Sequence, residues 1–169
     1  MAQVFAVVNQ KGGVGKTTTA VNLGAALAAA GSSALLAADR ATARNARATG
    51  YDHDMQVVTN HAAEGTRAHG WRYFTDPEDV ILPTGIAGLS LLPSAAALSG
   101  AEVELVNLWG RETRLRQALE PVLDRFDYVL MDCPPSLGLI SVNALVAADG
   151  VLVPVQCEYL SLEGLGMLM

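Results

Sequence analysis

A glycine-rich stretch near the amino terminus carries the residues most able to do chemistry. Residues 9–18 have the sequence NQKGGVGKTT, in which three glycines and two lysines precede or accompany two threonines. Glycine lets the backbone curl so that successive N–H groups point inward and form a nest for an anion. The residues that we expect to contact phosphate are Lys11, Gly12, Gly13, Val14, Gly15, Lys16, Thr17 and Thr18. The stretch therefore predicts a phosphate-binding loop.

Three side chains at the end of this loop suit a bound nucleotide. Lys16 would place its ammonium group between the terminal phosphates, the Thr17 hydroxyl would ligate Mg²⁺, and Thr18 would reach the α-phosphate. The standard phosphate-loop pattern has glycine at the position of Gln10, and in this sequence a second lysine, Lys11, follows it. A glycine-rich turn without a ligand is the competing interpretation. It leaves the shared register of the lysines, glycines and threonines unexplained.

The elements that must position this loop are short apolar runs that alternate with helical patterns. Short apolar runs rich in β-branched residues are typical of buried parallel strands. Here they cover residues 4–8, 34–38, 89–92, 128–131 and 151–155. Helical patterns cover residues 17–30, 111–120 and 139–147, and another begins at residue 160. The alternation predicts an α/β fold with a doubly wound, mostly parallel sheet, whose ligands lie at the carboxyl ends of the strands.

Composition and charge limit the class of protein. Just over half of the residues are hydrophobic and the net charge is −6, which favours a folded protein and argues against a broad nucleic-acid surface. The two cysteines, Cys133 and Cys157, are too few for a disulfide framework or a four-cysteine zinc site. We find no signal peptide and no membrane segment, so we predict a cytoplasmic protein. Without internal repeats or linkers, residues 1–169 are expected to form a single P-loop nucleotide-binding domain.

A carboxylate ends the fourth predicted strand. Residues 128–132 have the sequence YVLMD, and Asp132 would hold Mg²⁺ through water. Many strands end in aspartate, so this feature is weak by itself. It gains weight beside the phosphate loop and the residues that follow it, Cys133-Pro134-Pro135-Ser136.

Several motifs together resemble one family. The box K-G-G-x-G-K-[ST] at residues 11–17 resembles the deviant Walker A box of the ParA/MinD group. Residues 126–145 and 153–160 closely resemble the ParA chromosome- and plasmid-partitioning ATPases, as do the shorter runs LLPS, AEVEL and GRETRL between residues 91 and 115. The resemblance covers roughly residues 1–36 and 80–169.

The resemblance implies a slow ATPase that binds ATP and Mg²⁺ and forms a homodimer on MgATP. Members of this family bind DNA nonspecifically as dimers and release it when a ParB-like activator stimulates hydrolysis. In the family, Lys11 would reach across the dimer to the partner's phosphates, much as an arginine finger does. Lys16 would act with it in catalysis, and Pro134 would lie in the switch that follows Asp132.

The sequence departs from the family after the second predicted strand, where an aspartate should position the attacking water. In an ungapped alignment Ala38 and Arg40 replace the family's two aspartates, whereas one inserted residue lets Asp39 match the first. Asp39 is therefore the candidate catalytic carboxylate. Residues 39–75 form a divergent segment without a clean period, which either a disrupted reading frame, an insert or genuine divergence would produce.

The family continues beyond the position of Met169. We therefore expect a fold that is incomplete at the carboxyl terminus, with residues 151–155 as an exposed strand edge that promotes aggregation. The main alternative function is a nonhydrolysing or inactive nucleotide-binding remnant. A MinD-like membrane-cycling ATPase would need an amphipathic carboxyl-terminal helix, and a metal-cluster carrier would need cysteine ligands at another spacing.

Overall fold

The structure is a computed structural model that describes residues 1–38, 81–94 and 105–156. Asp39, the rest of the divergent segment at residues 39–75, Cys157 and the helix expected from residue 160 lie outside the described residues.

The described strands form one sheet of six strands. They are β1 (Gln3–Val7), β2 (Ala34–Ala38), β3 (Leu82–Pro83), β4 (Leu89–Pro93), β5 (Tyr128–Asp132) and β6 (Gly150–Leu152). Their order across the sheet is β3-β4-β2-β5-β1-β6. Every pairing is parallel except that of the short β3 with β4. The expected mostly parallel sheet is thus confirmed.

Helices cover both faces of this sheet. The α-helices are α1 (Lys16–Ala29), α2 (Arg114–Leu119) and α3 (Leu139–Ala147), and 3-10 turns span Leu105–Asn107, Arg111–Thr113 and Glu120–Arg125. On one face α1 packs on a cluster that includes Val7, Leu36 and Leu130. On the other face, Leu119 of α2 and Ala144 of α3 join a separate cluster. The sheet is therefore doubly wound, as predicted.

A buried stripe of small residues lets α1 approach the sheet closely. Ala20, Gly24 and Ala28 recur every fourth residue and are buried, so they lie on one face of the helix. A Cβ atom at Gly24 would lie 3.1 Å from Cδ1 of Leu89. This close packing places the first turn of α1 against the sheet at the carboxyl end of β1.

The structure corrects two of the elements expected from the sequence and adds a third. The helix expected at residues 111–120 is split between a 3-10 turn, α2 and a second 3-10 turn that runs past Pro121 to Arg125. The strand expected at residues 151–155 ends at Leu152, since proline has no N–H to donate to a sheet and the Pro154 carbonyl accepts a side-chain hydrogen bond from Asn9. The two-residue β3 was not predicted, because it is too short to show a period.

Strand order brings two distant motifs together. β1 lies between β5 and β6, and Val7 is the register partner of Asp132. The carboxyl ends of β1 and β5 therefore meet at the same edge of the sheet, as expected for a parallel pair. Among the described helices, none combines the length and apolar character needed to cross a membrane.

At the amino ends of β2 and β5, Ser33 and Asp127 form reciprocal hydrogen bonds. The Asp127 carboxylate accepts hydrogen bonds from the Ser33 backbone N–H at 2.7 Å and from its hydroxyl at 2.9 Å. The Asp127 N–H donates to the Ser33 carbonyl at 2.8 Å. The bonds from the Ser33 N–H and hydroxyl lower the pKa of the Asp127 carboxyl.

We expect Asp127→Ala to destabilise the fold most near neutral pH. Because folding lowers the pKa of Asp127, its ionised form favours the folded state. That contribution is present above the unfolded-state pKa of about 4 and is lost as the pH falls through the lower folded-state value. Thermal unfolding of wild type and variant should differ most at neutral pH, and the difference should shrink in acid. Asp124→Ala, which also removes an exposed aspartate, is the control, and a difference that does not change with pH would contradict the prediction.

Candidate phosphate-binding site

The loop between β1 and α1 forms an open cradle. Gly13 and Gly15 adopt positive φ angles of 76° and 87°, a region that favours glycine. Gly15 is also the residue that caps the amino end of α1. Cβ atoms built at Gly12, Gly13 and Gly15 would meet nothing within 4 Å. The glycines of the loop thus have open space beside them at the positive end of a helix, which suits an anion.

Lys16 lies along this loop. Its side chain is buried, with 8% of the residue exposed, and its Nζ donates a hydrogen bond to the Lys11 carbonyl at 3.1 Å. The Lys16 ammonium group is therefore held against the backbone of the phosphate loop, beside Lys11, the only other lysine of the sequence. The role of Lys16 in neutralising phosphate stays a prediction.

The Thr17 hydroxyl and the Asp132 carboxylate meet in the first turn of α1. Thr17 Oγ1 donates to Asp132 Oδ2 at 2.6 Å, and Asp132 is only 9% exposed. Hydroxyl and carboxylate oxygens are ligands that Mg²⁺ accepts, and this ion usually keeps several waters and needs one or two protein ligands. Within the described residues, no group of three or more His, Cys, Asp and Glu side chains forms a metal site. The oxygen donors of Thr17 and Asp132 fit Mg²⁺.

Cys133 lies next to Asp132, but its thiol is not suited to act as a nucleophile. Burial, and then the neighbouring Asp132 charge, raise the pKa of the Cys133 thiol to about 12. Its Sγ donates to the Met131 carbonyl at 3.6 Å, and its backbone N–H donates to Val7 at 3.2 Å. Cys133 is therefore a buried structural residue, as expected for a free cysteine.

The remaining candidate residues are distributed around the cradle. Val14 is buried within the loop, Lys11 is half-buried, and Thr18 is exposed on the first turn of α1. Pro134 is half-buried, just after β5. The position of Asp39 is outside the described residues, although β2 ends at Ala38 on the same edge of the sheet.

Sequence reasoning missed three residues that join the loop to the segment after β6. Asn9 Nδ2 donates to the Pro154 carbonyl at 2.9 Å, and Gln156 Nε2 donates to the Gly13 carbonyl at 3.3 Å. An asparagine two residues before Lys11 is a local signal for a side-chain turn. The contacts with Pro154 and Gln156 leave no such signal, because more than 140 residues separate the partners.

A glycine cradle at the amino end of a helix, with a lysine and a threonine–aspartate pair, defines a P-loop nucleotide-binding protein. A family model for an AAA domain matches residues 2–169. The chain therefore belongs to this AAA domain family, and its ParA-type relatives confirm the resemblance drawn from the sequence.

The curated relatives are longer than this chain. The sporulation initiation inhibitor protein Soj of Bacillus subtilis is 44% identical over 174 residues, which cover 100% of this chain and 64% of that protein. The chromosome partitioning protein ParA of Myxococcus xanthus is 45% identical over 168 residues, which cover 99% of this chain and 57% of that protein. The chain therefore spans about three fifths of the length of these two relatives.

Solved structures agree on the fold. A cobyrinic acid a,c-diamide synthase from Mycobacterium smegmatis, solved with ADP and magnesium, has a TM-score of 0.82 and 40% identity, and the match covers 99% of this chain and 65% of that one. The same enzyme was solved with an ATP analogue and magnesium. A plasmid partition protein from Borrelia burgdorferi, at 24% identity and a TM-score of 0.78, covers 99% of this chain and 72% of that one and supports the fold alone.

Thr17→Val tests the contact between α1 and β5. The substitution keeps the shape of the side chain but removes the hydrogen bond to a buried carboxylate, so we expect a loss of about 1–3 kcal/mol in the free energy of unfolding without nucleotide. Urea denaturation measures this. Thr18→Val changes an exposed neighbour in the same way and should cost less than about 0.5 kcal/mol. Equal effects of the two substitutions would contradict the assigned contact.

Proposed function

We propose that this chain is a ParA-type switch that binds MgATP, forms a homodimer on it and hydrolyses it slowly in the segregation of chromosome or plasmid DNA. The observation that carries the proposal is the Thr17–Asp132 pair at 2.6 Å, beside the open glycine cradle. The curated relatives named as partitioning proteins support the biological role.

The loop residues divide the work of holding the nucleotide. The N–H groups of the cradle and the amino end of α1 would bind the phosphate oxygens. Lys16 would neutralise the terminal phosphates, and Thr17 with Asp132 would hold Mg²⁺. When bound, the ion offsets the charge that builds up on the phosphoryl oxygens.

Two further residues are assigned to hydrolysis. Lys11 would stabilise charge at the partner protomer's phosphates, and Asp39 would orient the attacking water. A nonhydrolysing nucleotide-binding module remains the alternative if Asp39 does not occupy the position of the family's carboxylate. In the proposed cycle the dimer binds DNA nonspecifically, and a ParB-like activator stimulates hydrolysis.

We expect a fluorescent ATP analogue to bind saturably and only with Mg²⁺. Lys16→Ala should weaken binding roughly 10- to 100-fold, because a charge-assisted hydrogen bond to phosphate is lost. Lys11→Ala is the matched control, since it removes the only other lysine. It should change binding by only a few fold but reduce turnover by about 100-fold or more, as for an arginine finger.

The outcomes separate the two functions. A wild-type chain that folds but does not bind the analogue would overturn the proposal. Binding without turnover in the wild type would favour the nonhydrolysing module. Equal effects of Lys11→Ala and Lys16→Ala on binding would contradict the division of roles between the two lysines.

A second candidate is ATP-dependent amide formation. The similarity to a structure named cobyrinic acid a,c-diamide synthase favours it. Both candidates use the same MgATP site, so binding alone does not distinguish them. Turnover stimulated by DNA would support the partitioning switch. Mass-spectrometric detection of an amide product from cobyrinic acid, ammonia and ATP would support the synthase.

A further inference from the structure

Asn9 is a buried polar residue whose side-chain amide is bonded on both sides. It lies two residues beyond the end of β1 and is 5% exposed. Its Oδ1 accepts the Lys11 backbone N–H at 2.9 Å, and its Nδ2 donates to the Pro154 carbonyl at 2.9 Å. A buried amide with this pairing fixes the position of both partners, because breaking either bond leaves a buried polar group unsatisfied.

The Lys11 backbone is consequently held from two directions. Asn9 binds its N–H, and Lys16 Nζ binds its carbonyl at 3.1 Å. The Lys11 side chain therefore extends from a backbone position that these two contacts set. For a lysine that must reach a phosphate group, the position of its backbone determines where the ammonium group can lie.

The other hydrogen bond of Asn9 connects the loop to the segment that follows the outermost strand, β6. β6 pairs with β1, and the Val8 N–H continues this pairing by donating to Leu152 at 3.0 Å. Beyond β6, the Pro154 carbonyl accepts a hydrogen bond from Asn9 Nδ2. Gln156 Nε2 donates to the carbonyl of Gly13, which lies further along the loop. Residues 154–156 are thus joined to the phosphate loop at two points.

We propose that Asn9 is a positioning residue that sets the Lys11 backbone and couples the phosphate loop to residues 154–156. The consequence for hydrolysis rests on the proposed function. The coupling itself does not, because all of its contacts join residues of this chain. Asn9 acts through Lys11 and through residues 154–156, not by contact with the reacting atoms.

Hydrogen exchange at the Lys11 amide, measured by NMR without nucleotide, tests the coupling directly. Asn9→Ala should speed this exchange roughly tenfold, since one buried hydrogen bond is lost. Asn9→Asp keeps an acceptor for the Lys11 N–H but replaces the donor to Pro154 by a carboxylate oxygen. It should leave exchange at Lys11 slow and shift the amide resonances of residues 155 and 156. Asn22→Ala, at an exposed asparagine of α1, is the matched control and should change neither.

Turnover separates a positioning role from general damage to the fold. Asn9→Ala should lower kcat by about 100-fold, as expected for a displacement on the order of 1 Å, with only a few-fold change in KM. In a Lys11→Ala background the same substitution should have little further effect. Additive losses in the double variant would overturn action through Lys11.

Amide exchange at Lys11 and nucleotide binding or turnover test different parts of the proposal. Unchanged exchange at Lys11 in folded Asn9→Ala would overturn the positioning role whatever the nucleotide data show. If the wild type bound no MgATP, the proposed function would fail, whereas faster exchange in Asn9→Ala would still support the coupling. If Asn9→Ala does not fold, Asn9→Asp still tests the coupling to residues 154–156, and unchanged amide resonances at residues 155 and 156 would overturn it.

Discussion

The parallel pairing of β1 with β5 is the constraint on which the candidate site depends. Val7 and Asp132 are register partners at the carboxyl ends of these strands, so the loop after β1 and the carboxylate that ends β5 share one edge. The hydrogen bond from Thr17 to Asp132 then joins residues 115 positions apart. A register shift of one residue would turn the Asp132 side chain to the other face of the sheet.

The second requirement is that α1 begins close to the sheet. The small residues Ala20, Gly24 and Ala28 form the buried stripe of this helix. At Gly24 even a Cβ atom would lie 3.1 Å from Leu89 Cδ1 and 3.5 Å from Leu130 Cδ1. The same close packing holds Lys16 and Thr17 over the end of β5. The geometry of the phosphate loop therefore depends on the packing of the helix that follows it as well as on the glycines.

The segment after β6 also contributes to the site. Asn9 and Gln156 form hydrogen bonds that connect the loop to residues 154–156. This connection explains why the last strand is shorter than its apolar run, since the Pro154 carbonyl faces a side chain of the loop rather than a neighbouring strand. The phosphate loop is thus held by β5 on one side and by the end of β6 on the other.

Sequence patterns were enough to predict the phosphate loop, the doubly wound α/β class and the carboxylate at the end of β5. These features are local: positive φ angles require glycine, and the strand and helix periods extend over a few residues. The folded chain was needed to show that β5 lies beside β1, that Lys16 binds the Lys11 carbonyl, and that Asn9 binds the Pro154 carbonyl. Such contacts join residues far apart in sequence or depend on how the loop folds back on itself, so no local pattern specifies them. The split helix escaped prediction because tertiary packing overrides local propensity in an element this short, and β3 escaped it because two residues are too few to show a period.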